Sequence, residues 1–197
     1  MRSRFRRRAA FRNTLLAGAF CGLAAFSVRA EVVEQLDFEF YGVTVKPDEK
    51  LLQAVNRNSK IREGGNIFHG YTHWNIRWNY RWWQEPTSCR ITETKVSVSG
   101  KITLPKLEQA AYGQWAKFDA YITKLKAHEM GHYHIAREAA EGIDAYLKSL
   151  PSFSDCSALE RQANQGAYKI LDNGKQRGRQ YDIDTGHGKT QGAYLRD

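Results

Sequence analysis

Alternating apolar and polar positions predict β-strands in the first half of the chain. The clearest alternation spans residues 73–82, where one face carries only large apolar side chains: Trp74, Ile76, Trp78, Tyr80 and Trp82. The other face is polar, and we expect water to cover it, as on the outer face of many antiparallel sheets. Residues 33–45 alternate in the same way and predict a bent or paired strand around Tyr41 and Gly42. A glycine-rich turn at residues 64–66 separates the two stretches.

Two further stretches carry weaker patterns. Residues 90–104 predict a strand or a hairpin, with a turn at Ser99 and Gly100 and an end at Pro105, because proline cannot donate a hydrogen bond to a neighbouring strand. Residues 47–55, which begin with a proline and two acidic residues, predict a short helix. Both stretches precede the helical part of the chain.

Helical periodicity dominates the second half of the chain. Apolar residues recur at helical spacing from Trp115 to Leu125, and we predict helices over residues 107–150 and 157–177, with Ser157 as the cap of the second. No repeat, low-complexity tract or long linker divides residues 31–197, whose length suits one domain. The predicted fold class is therefore α+β, with N-terminal antiparallel strands packed on a C-terminal helical pair.

One motif in the first of these helices indicates chemistry. His128, Glu129 and His132 form an HExxH pattern, and the four-residue spacing places both imidazoles on one helix face, where they can bind one cation. Glu129 lies about 100° round the helix from His128, where it can hydrogen-bond a metal-bound water and act as its general base. We therefore predict a Zn²⁺ site of the zincin type on this helix.

A catalytic zinc normally takes three protein ligands, so the motif needs a further ligand from elsewhere in the chain. If the helix continues past His132, an antiparallel second helix comes back level with the motif at about residue 176, and the segment after it is within reach. In that segment His187, flanked by glycines, is the predicted third ligand. The carboxylates that remain open as alternatives are Glu138, Glu141, Asp182 and Asp184. The last two could instead orient a ligand histidine.

Residues 1–30 have the three parts of a secretory signal peptide: an arginine-rich start, an apolar run from about Leu15 to Phe26, and a small-x-small cleavage site that ends at Ala30. The apolar run is short for a membrane span, so we expect a periplasmic or secreted protein without stable membrane insertion after cleavage. The leader holds seven of the 30 basic residues and no acid, which leaves 23 basic and 21 acidic residues, and the formal charge falls from +9 to +2. A nucleic-acid partner is therefore not expected.

Cleavage of the leader removes Cys21 and leaves Cys89 and Cys156. An even number of cysteines in an exported protein predicts a disulfide bond between them. Neither cysteine has metal-ligand spacing to the other or to the HExxH motif, so a thiolate zinc site is disfavoured.

With these features the chain resembles a known family, the bacterial domain of unknown function 922, whose members are described as predicted secreted zinc-dependent proteases. The resemblance rests on the signal peptide, the Trp-rich strand at 74–80, the paired cysteines, the HExxH helix and the closing segment 181–188. It implies a zinc-dependent metallopeptidase that acts on a peptide or protein substrate in the cell envelope. The alternatives are an amidase of cell-wall peptides and a non-catalytic, zinc-stabilised binding module that uses the Trp-rich strand.

Overall fold

The computed structural model describes residues 32–196, and the predicted signal peptide lies outside the described residues. The elements are β1 (Val33–Thr44), α1 (Leu51–Asn58), β2 (Ile61–Glu63), β3 (Asn66–Phe68), β4 (Tyr71–Glu85), β5 (Ser88–Gln109), α2 (Tyr112–Ser149), α3 (Cys156–Thr185) and a 3₁₀ turn (Lys189–Gln191). This order confirms an α+β fold in one domain, with N-terminal strands and C-terminal helices.

Three strands form the main sheet in the order β1-β5-β4, with β5 at its centre. β4 and β5 are antiparallel, whereas β1 runs parallel to β5, so the predicted all-antiparallel arrangement is wrong for one of these two pairings. Parallel neighbours need a long connection, which α1, β4 and the small antiparallel β2–β3 hairpin supply between β1 and β5. The predicted turn at residues 64–66 is the tip of that hairpin, where Gly64 and Gly65 have φ angles of 54° and 79°.

β5 is one continuous strand, and the turn predicted at Ser99 and Gly100 is wrong. A side chain at Gly100 would come within 2.6 Å of the Tyr133 ring of α2, so this glycine allows the helix to lie close to the sheet instead of turning the chain. Pro105 does not end the strand either. Because β4 pairs with β5 only as far as Thr103, the missing N–H of Pro105 falls beyond the end of β4.

The helices cover one face of the main sheet. Every second residue of β5 from Val96 to Leu104 is buried, because successive side chains of a strand point to opposite faces. Ala136 and Ile143 of α2 belong to the same buried cluster as Val98 of β5. The polar residues of β4 lie on the other face and are exposed, as predicted: His73, Asn75, Arg77, Asn79 and Arg81.

α2 and α3 are the predicted helical pair, but α3 has different ends. The carboxylate that caps α3 belongs to Asp155 and accepts from the N–H of Ala158 at 2.8 Å, so the prediction of Ser157 as cap is wrong. The helix also continues past residue 177 to Thr185, where Gly186 adopts a left-handed conformation with φ of 56°. The extra two turns carry α3 back along α2 as far as the HExxH motif.

Cys89 and Cys156 form the predicted disulfide bond, with their Cα atoms 5.1 Å apart. It connects the start of β5 to the start of α3. A disulfide is consistent with a location outside the cytoplasm, where thiols oxidise. Among residues 32–196, no helix is both long and apolar enough to cross a membrane.

Candidate metal centre

The two histidines of the HExxH motif lie in the middle of α2 and face α3. His128 is 3% exposed, and the imidazole rings are 5.0 Å apart, as expected for residues one helical turn apart. Both rings approach one oxygen of Asp182: Oδ1 is 3.3 Å from Nε2 of His128 and 3.0 Å from Nε2 of His132. The three side chains offer donor atoms that all lie within 4.8 Å of one another. They form a candidate site for one metal ion.

Asp182 reaches the motif because α3 is longer than the sequence indicates. The residue lies in the last turn of α3, and one turn earlier Gly178 packs against His132, where a side chain would lie 3.8 Å from Nδ1. The sequence predicted that the second helix ends at residue 177, and in the segment after it Asp182 was an alternative to His187. The helix instead gives its carboxylate a defined direction towards both imidazoles.

His187, the predicted third ligand, lies beside this group but is not one of its three members. Its Nδ1 is 3.6 Å from Oδ1 of Asp182, its side chain is 53% exposed, and its ring packs 4.9 Å from that of Phe68. His187 comes directly after Gly186, the cap of α3, and its backbone also has a left-handed φ, of 53°. A ligand role for His187 therefore stays a prediction, whereas Asp182 already contacts both other imidazoles.

The remaining alternatives point away from the motif. α2 continues as a helix, so Glu138 and Glu141 lie further along it and form ion pairs with Arg177 of α3 and with Arg137. The carboxylate of Asp184 accepts a hydrogen bond at 2.7 Å from the glutamine one turn before it. None of these three carboxylates belongs to the group formed by the two histidines.

Glu129 is buried next to the histidines, and β4 holds it in place. The hydroxyl of Thr72 lies 2.7 Å from Oε2 of Glu129 and 3.0 Å from its main-chain oxygen. A side chain at Gly70 would come within 2.5 Å of Oε1, so only glycine allows the carboxylate to lie against this part of the chain. Burial raises the pKa of Glu129, although the hydrogen bond from Thr72 and the nearby histidines oppose the shift.

The C-terminal segment and the end of α3 both contact the ring of His128. Nδ1 of His128 donates to Oε1 of Gln191 at 2.9 Å, and Tyr181 stacks on the ring at 5.0 Å with an interplanar angle of 13°. Gln191 in turn donates to the Tyr181 hydroxyl at 2.9 Å. Left-handed glycines at 186 and 188 turn the chain back so that Gln191 reaches the ring. Histidine ligands of metals commonly have such a partner on the second nitrogen.

Gly131, inside the motif, makes room for Tyr181. A side chain at this position would lie 2.2 Å from the Tyr181 hydroxyl. The glycine therefore permits the close approach of α3 that brings the neighbouring Asp182 to the histidines.

Hydrogen bonds within the group shift the pKa values of His128 and Asp182 in opposite directions. Burial lowers the pKa of His128, but hydrogen bonds with Asp182 and Gln191 outweigh it and the net shift is upward. For Asp182, burial raises the pKa, but hydrogen bonds with both histidines outweigh it and the net shift is strongly downward. Asp182 therefore stays ionised at neutral pH, as an oxygen ligand of a metal must be.

The candidate site opens into a cleft of about 1080 Å³. Its walls are the β2–β3 hairpin, the start of β4, the end of α3 and the C-terminal segment. A cleft of this size can hold several residues of a peptide. Sequence reasoning missed the residues that support the site from these walls, because isolated residues such as Thr72 and Gln191 carry no local pattern.

His69 is another residue that the sequence did not single out. Its ring lies 2.6 Å from the hydroxyl of Tyr121 and 2.7 Å from Oδ1 of Asn56, and its main-chain oxygen accepts from Tyr41 at 2.9 Å. Burial is the main cause that lowers its pKa to about 4, so the ring is neutral at pH 7. This network anchors the segment whose next residue, Gly70, packs on Glu129.

A family model described as "Bacterial protein of unknown function (DUF922)" matches residues 38–188, well over half of the chain. The chain belongs to the DUF922 family. The match confirms the family that the sequence resembles, and its range includes all residues of the HExxH motif and Asp182. The DUF922 description assigns no activity. No curated protein and no solved structure matches this DUF922 chain.

Proposed function

We propose that this DUF922 protein is a zinc-dependent metallopeptidase that acts on peptide or protein substrates in the periplasm or outside the cell. The observation that supports it most is the convergence of His128, His132 and Asp182 on one point in an open cleft. The carboxylate of Glu129 is buried beside them without being one of the three. A purely structural metal site has no need of such a carboxylate.

The donor set fits zinc better than it fits Ca²⁺ or Mg²⁺. Two imidazole nitrogens and one carboxylate oxygen are typical zinc ligands, whereas Ca²⁺ and Mg²⁺ prefer oxygen ligands alone. Three protein ligands leave one tetrahedral position open, as catalytic zinc sites do. We assign the third position to Asp182 in place of His187, because Asp182 contacts both histidines.

The residues around the site have distinct roles in this proposal. Bound zinc would supply Lewis acidity, which polarises a peptide carbonyl and activates water. Glu129 would accept a proton from the attacking water and deliver it to the leaving amine. Thr72 holds that carboxylate in one orientation, and Gln191 fixes the plane of His128.

A binding module without turnover is the second candidate, favoured by two exposed tryptophans. Trp82 and Trp83, near the end of β4, are 45% and 58% exposed. Trp74 and Trp78, by contrast, are only partly exposed and pack against the core. The exposed pair is too small a surface to favour this candidate over the enzyme.

Metal content tests the proposed ligands. Elemental analysis of the oxidised mature protein should find one zinc per chain in the wild type and in Glu138→Ala, a matched carboxylate outside the site. His132→Ala and Asp182→Ala should lose it. Retention of zinc by Asp182→Ala together with loss in His187→Ala would restore His187 as the third ligand. Absence of zinc from metal-replete wild type would contradict the proposal.

Turnover separates the enzyme from the binding module. Glu129→Gln should keep its zinc and lose cleavage of unfolded protein substrates by at least about 100-fold, the usual contribution of a general base. Isolated cell-wall peptides form a parallel substrate set that would reveal an amidase. Zinc-loaded wild type that cleaves neither set, with a Glu129→Gln variant that keeps full biological function, would favour the module.

A further inference from the structure

Away from the metal centre, the cleft is lined mainly by positive charge. Five exposed basic side chains line it: Lys60, Arg62, Lys175, Arg179 and Lys189. Three acidic residues of the part of the chain that the structure describes line the cleft, and two of them, Glu129 and Asp182, belong to the candidate metal site. Outside that site, Glu63 therefore faces five basic side chains. The chain without its leader has a formal charge of only +2, so overall composition does not explain this concentration.

Two of the cations lie on α3, close to Asp182. At the rise of an α-helix, Arg179 is about 4.5 Å and Lys175 about 10.5 Å along the axis from Asp182. Lys175 is 3.3 Å from the carboxylate of Asp172, but both side chains are half-exposed, and such pairs neutralise little charge. Arg179 forms no ion pair with any other residue of 32–196 and is available to a ligand.

Arg62 brings a positive charge from the β2–β3 hairpin. Its guanidinium donates to the main-chain oxygens of Asn56 at 3.2 Å and Ile61 at 3.1 Å, which hold it in place without neutralising it. The pKa of His69 in the cleft is low mainly because the ring is buried, and the charge of Arg62 lowers it further. The hairpin and α3 therefore present cations from two different walls.

We propose that the cleft binds acidic peptides, with Asp or Glu side chains of the substrate paired to Arg62, Arg179 and their basic neighbours. An extended peptide advances about 3.3 Å per residue, so the interval from Asp182 to Lys175 spans about three substrate residues. Carboxylates within three residues of the scissile bond can therefore meet these cations. The inference names the substrate class of the proposed peptidase and rests on that function for turnover, whereas the binding step can be tested without it.

The binding test uses the full mature chain as Glu129→Gln, so that no cleavage interferes. Its probe is a fluorescein-labelled eight-residue peptide with four Asp or Glu side chains, compared by anisotropy with the matched Asn and Gln peptide. We expect at least tenfold tighter binding of the acidic peptide at low salt, and a smaller ratio at 0.2 M salt because screening shortens the reach of each charge. Equal affinities would overturn the inference, as would equally tight binding of an oligonucleotide with four phosphates.

Charge reversal locates the effect. Arg62→Glu with Arg179→Glu should abolish the preference for the acidic peptide, whereas the control Arg77→Glu with Arg90→Glu changes the same charge on exposed residues outside the cleft and should keep it. Arg179→Glu alone is the fallback if the loss of the hairpin contacts of Arg62 unfolds the protein. Loss of preference in the control pair to the same extent would overturn the inference.

Cleavage products separate this inference from the proposed function. A peptide library digested by wild type should show Asp and Glu enriched within three residues of the cut, and the charge-reversed pair should shift the enrichment towards Lys and Arg. Cleavage without acidic enrichment would overturn the inference and leave the peptidase standing. Absence of any cleavage, together with tight binding of the acidic peptide, would count against the peptidase and leave the acidic-peptide site.

Discussion

Gly131 offers a direct test of how α3 is brought to the HExxH helix. In Gly131→Ala the new methyl group would lie 2.2 Å from the Tyr181 hydroxyl, so that the ring must move by more than about 1 Å. Overpacking of this kind costs about 1–3 kcal/mol. Displacing Tyr181 also costs its 2.9 Å hydrogen bond with Gln191, about 1 kcal/mol. Alanine returns about 1 kcal/mol through its higher helix propensity.

The net expectation for Gly131→Ala is a loss of about 1–3 kcal/mol in the free energy of unfolding. Gly142→Ala, in the same helix, is the matched control. Its methyl group would meet Ile170 at 3.4 Å, an ordinary contact, so the substitution should stabilise by up to about 1 kcal/mol. The two changes in the free energy of unfolding should therefore have opposite signs and differ by about 1–4 kcal/mol.

The assay is urea unfolding of oxidised, metal-free protein, which removes any contribution from bound metal. A second measurement, zinc affinity by competition with a chelator, should be at least tenfold weaker in Gly131→Ala, because Tyr181 precedes Asp182 in α3. Gly142→Ala should bind zinc as the wild type does. Equal stability and equal zinc affinity of the two variants would refute the argument that Gly131 sets the approach of α3.

Three other perturbations have defined outcomes. Burial lowers the pKa of His69 from 6.5 to about 4, so between these pH values the unfolded chain binds a proton that the folded chain does not. The contribution of His69 to the free energy of unfolding is therefore fully present above about pH 6.5. It falls by up to about 3 kcal/mol as the pH drops to 4. Urea unfolding of His69→Gln across this range should lack that dependence, and an unchanged slope would contradict the assignment. Gln191→Ala should weaken zinc binding by about 10- to 100-fold in a chelator competition, and wild-type affinity would show that its contact with His128 is dispensable. Replacing Cys89 and Cys156 by serine, which opens a link across 67 residues, should lower the free energy of unfolding by about 4 kcal/mol; a loss below about 1 kcal/mol would mean that the unfolded chain is not constrained by the bond.

Patterns that depend on near neighbours predicted much of this fold. The alternation around Trp74 predicted β4, and helical spacing predicted both long helices. The failures occurred where a residue with a strong local meaning has a tertiary reason instead. Gly100 predicts a turn, but the structure requires a glycine there because the Tyr133 ring packs against it. Pro105 predicts the end of a strand, but β5 continues past it, because β4 has already ended at this point and needs no hydrogen bond from Pro105.

The candidate site divides in the same way. Four-residue spacing on a helix is enough to place His128 and His132 together with Glu129 between them. The third donor is 50 residues from His132 along the chain, and no periodicity connects the two. Its identification needed the true length of α3, which ends at Thr185 rather than at residue 177. The supporting contacts of Thr72 and Gln191 come from segments equally far away in sequence.

The sequence by itself determined the α+β order of elements, the HExxH pair, the disulfide partners and the family, because each depends on local spacing, parity of cysteines or a motif. Only the tertiary structure decided that β1 joins the sheet in parallel, that β5 is unbroken, and that Asp182 contacts both histidines of the motif. These features depend on how closely two helices and a sheet approach one another. Side-chain volumes at positions distant in sequence, such as Gly131 against Tyr181, set that approach.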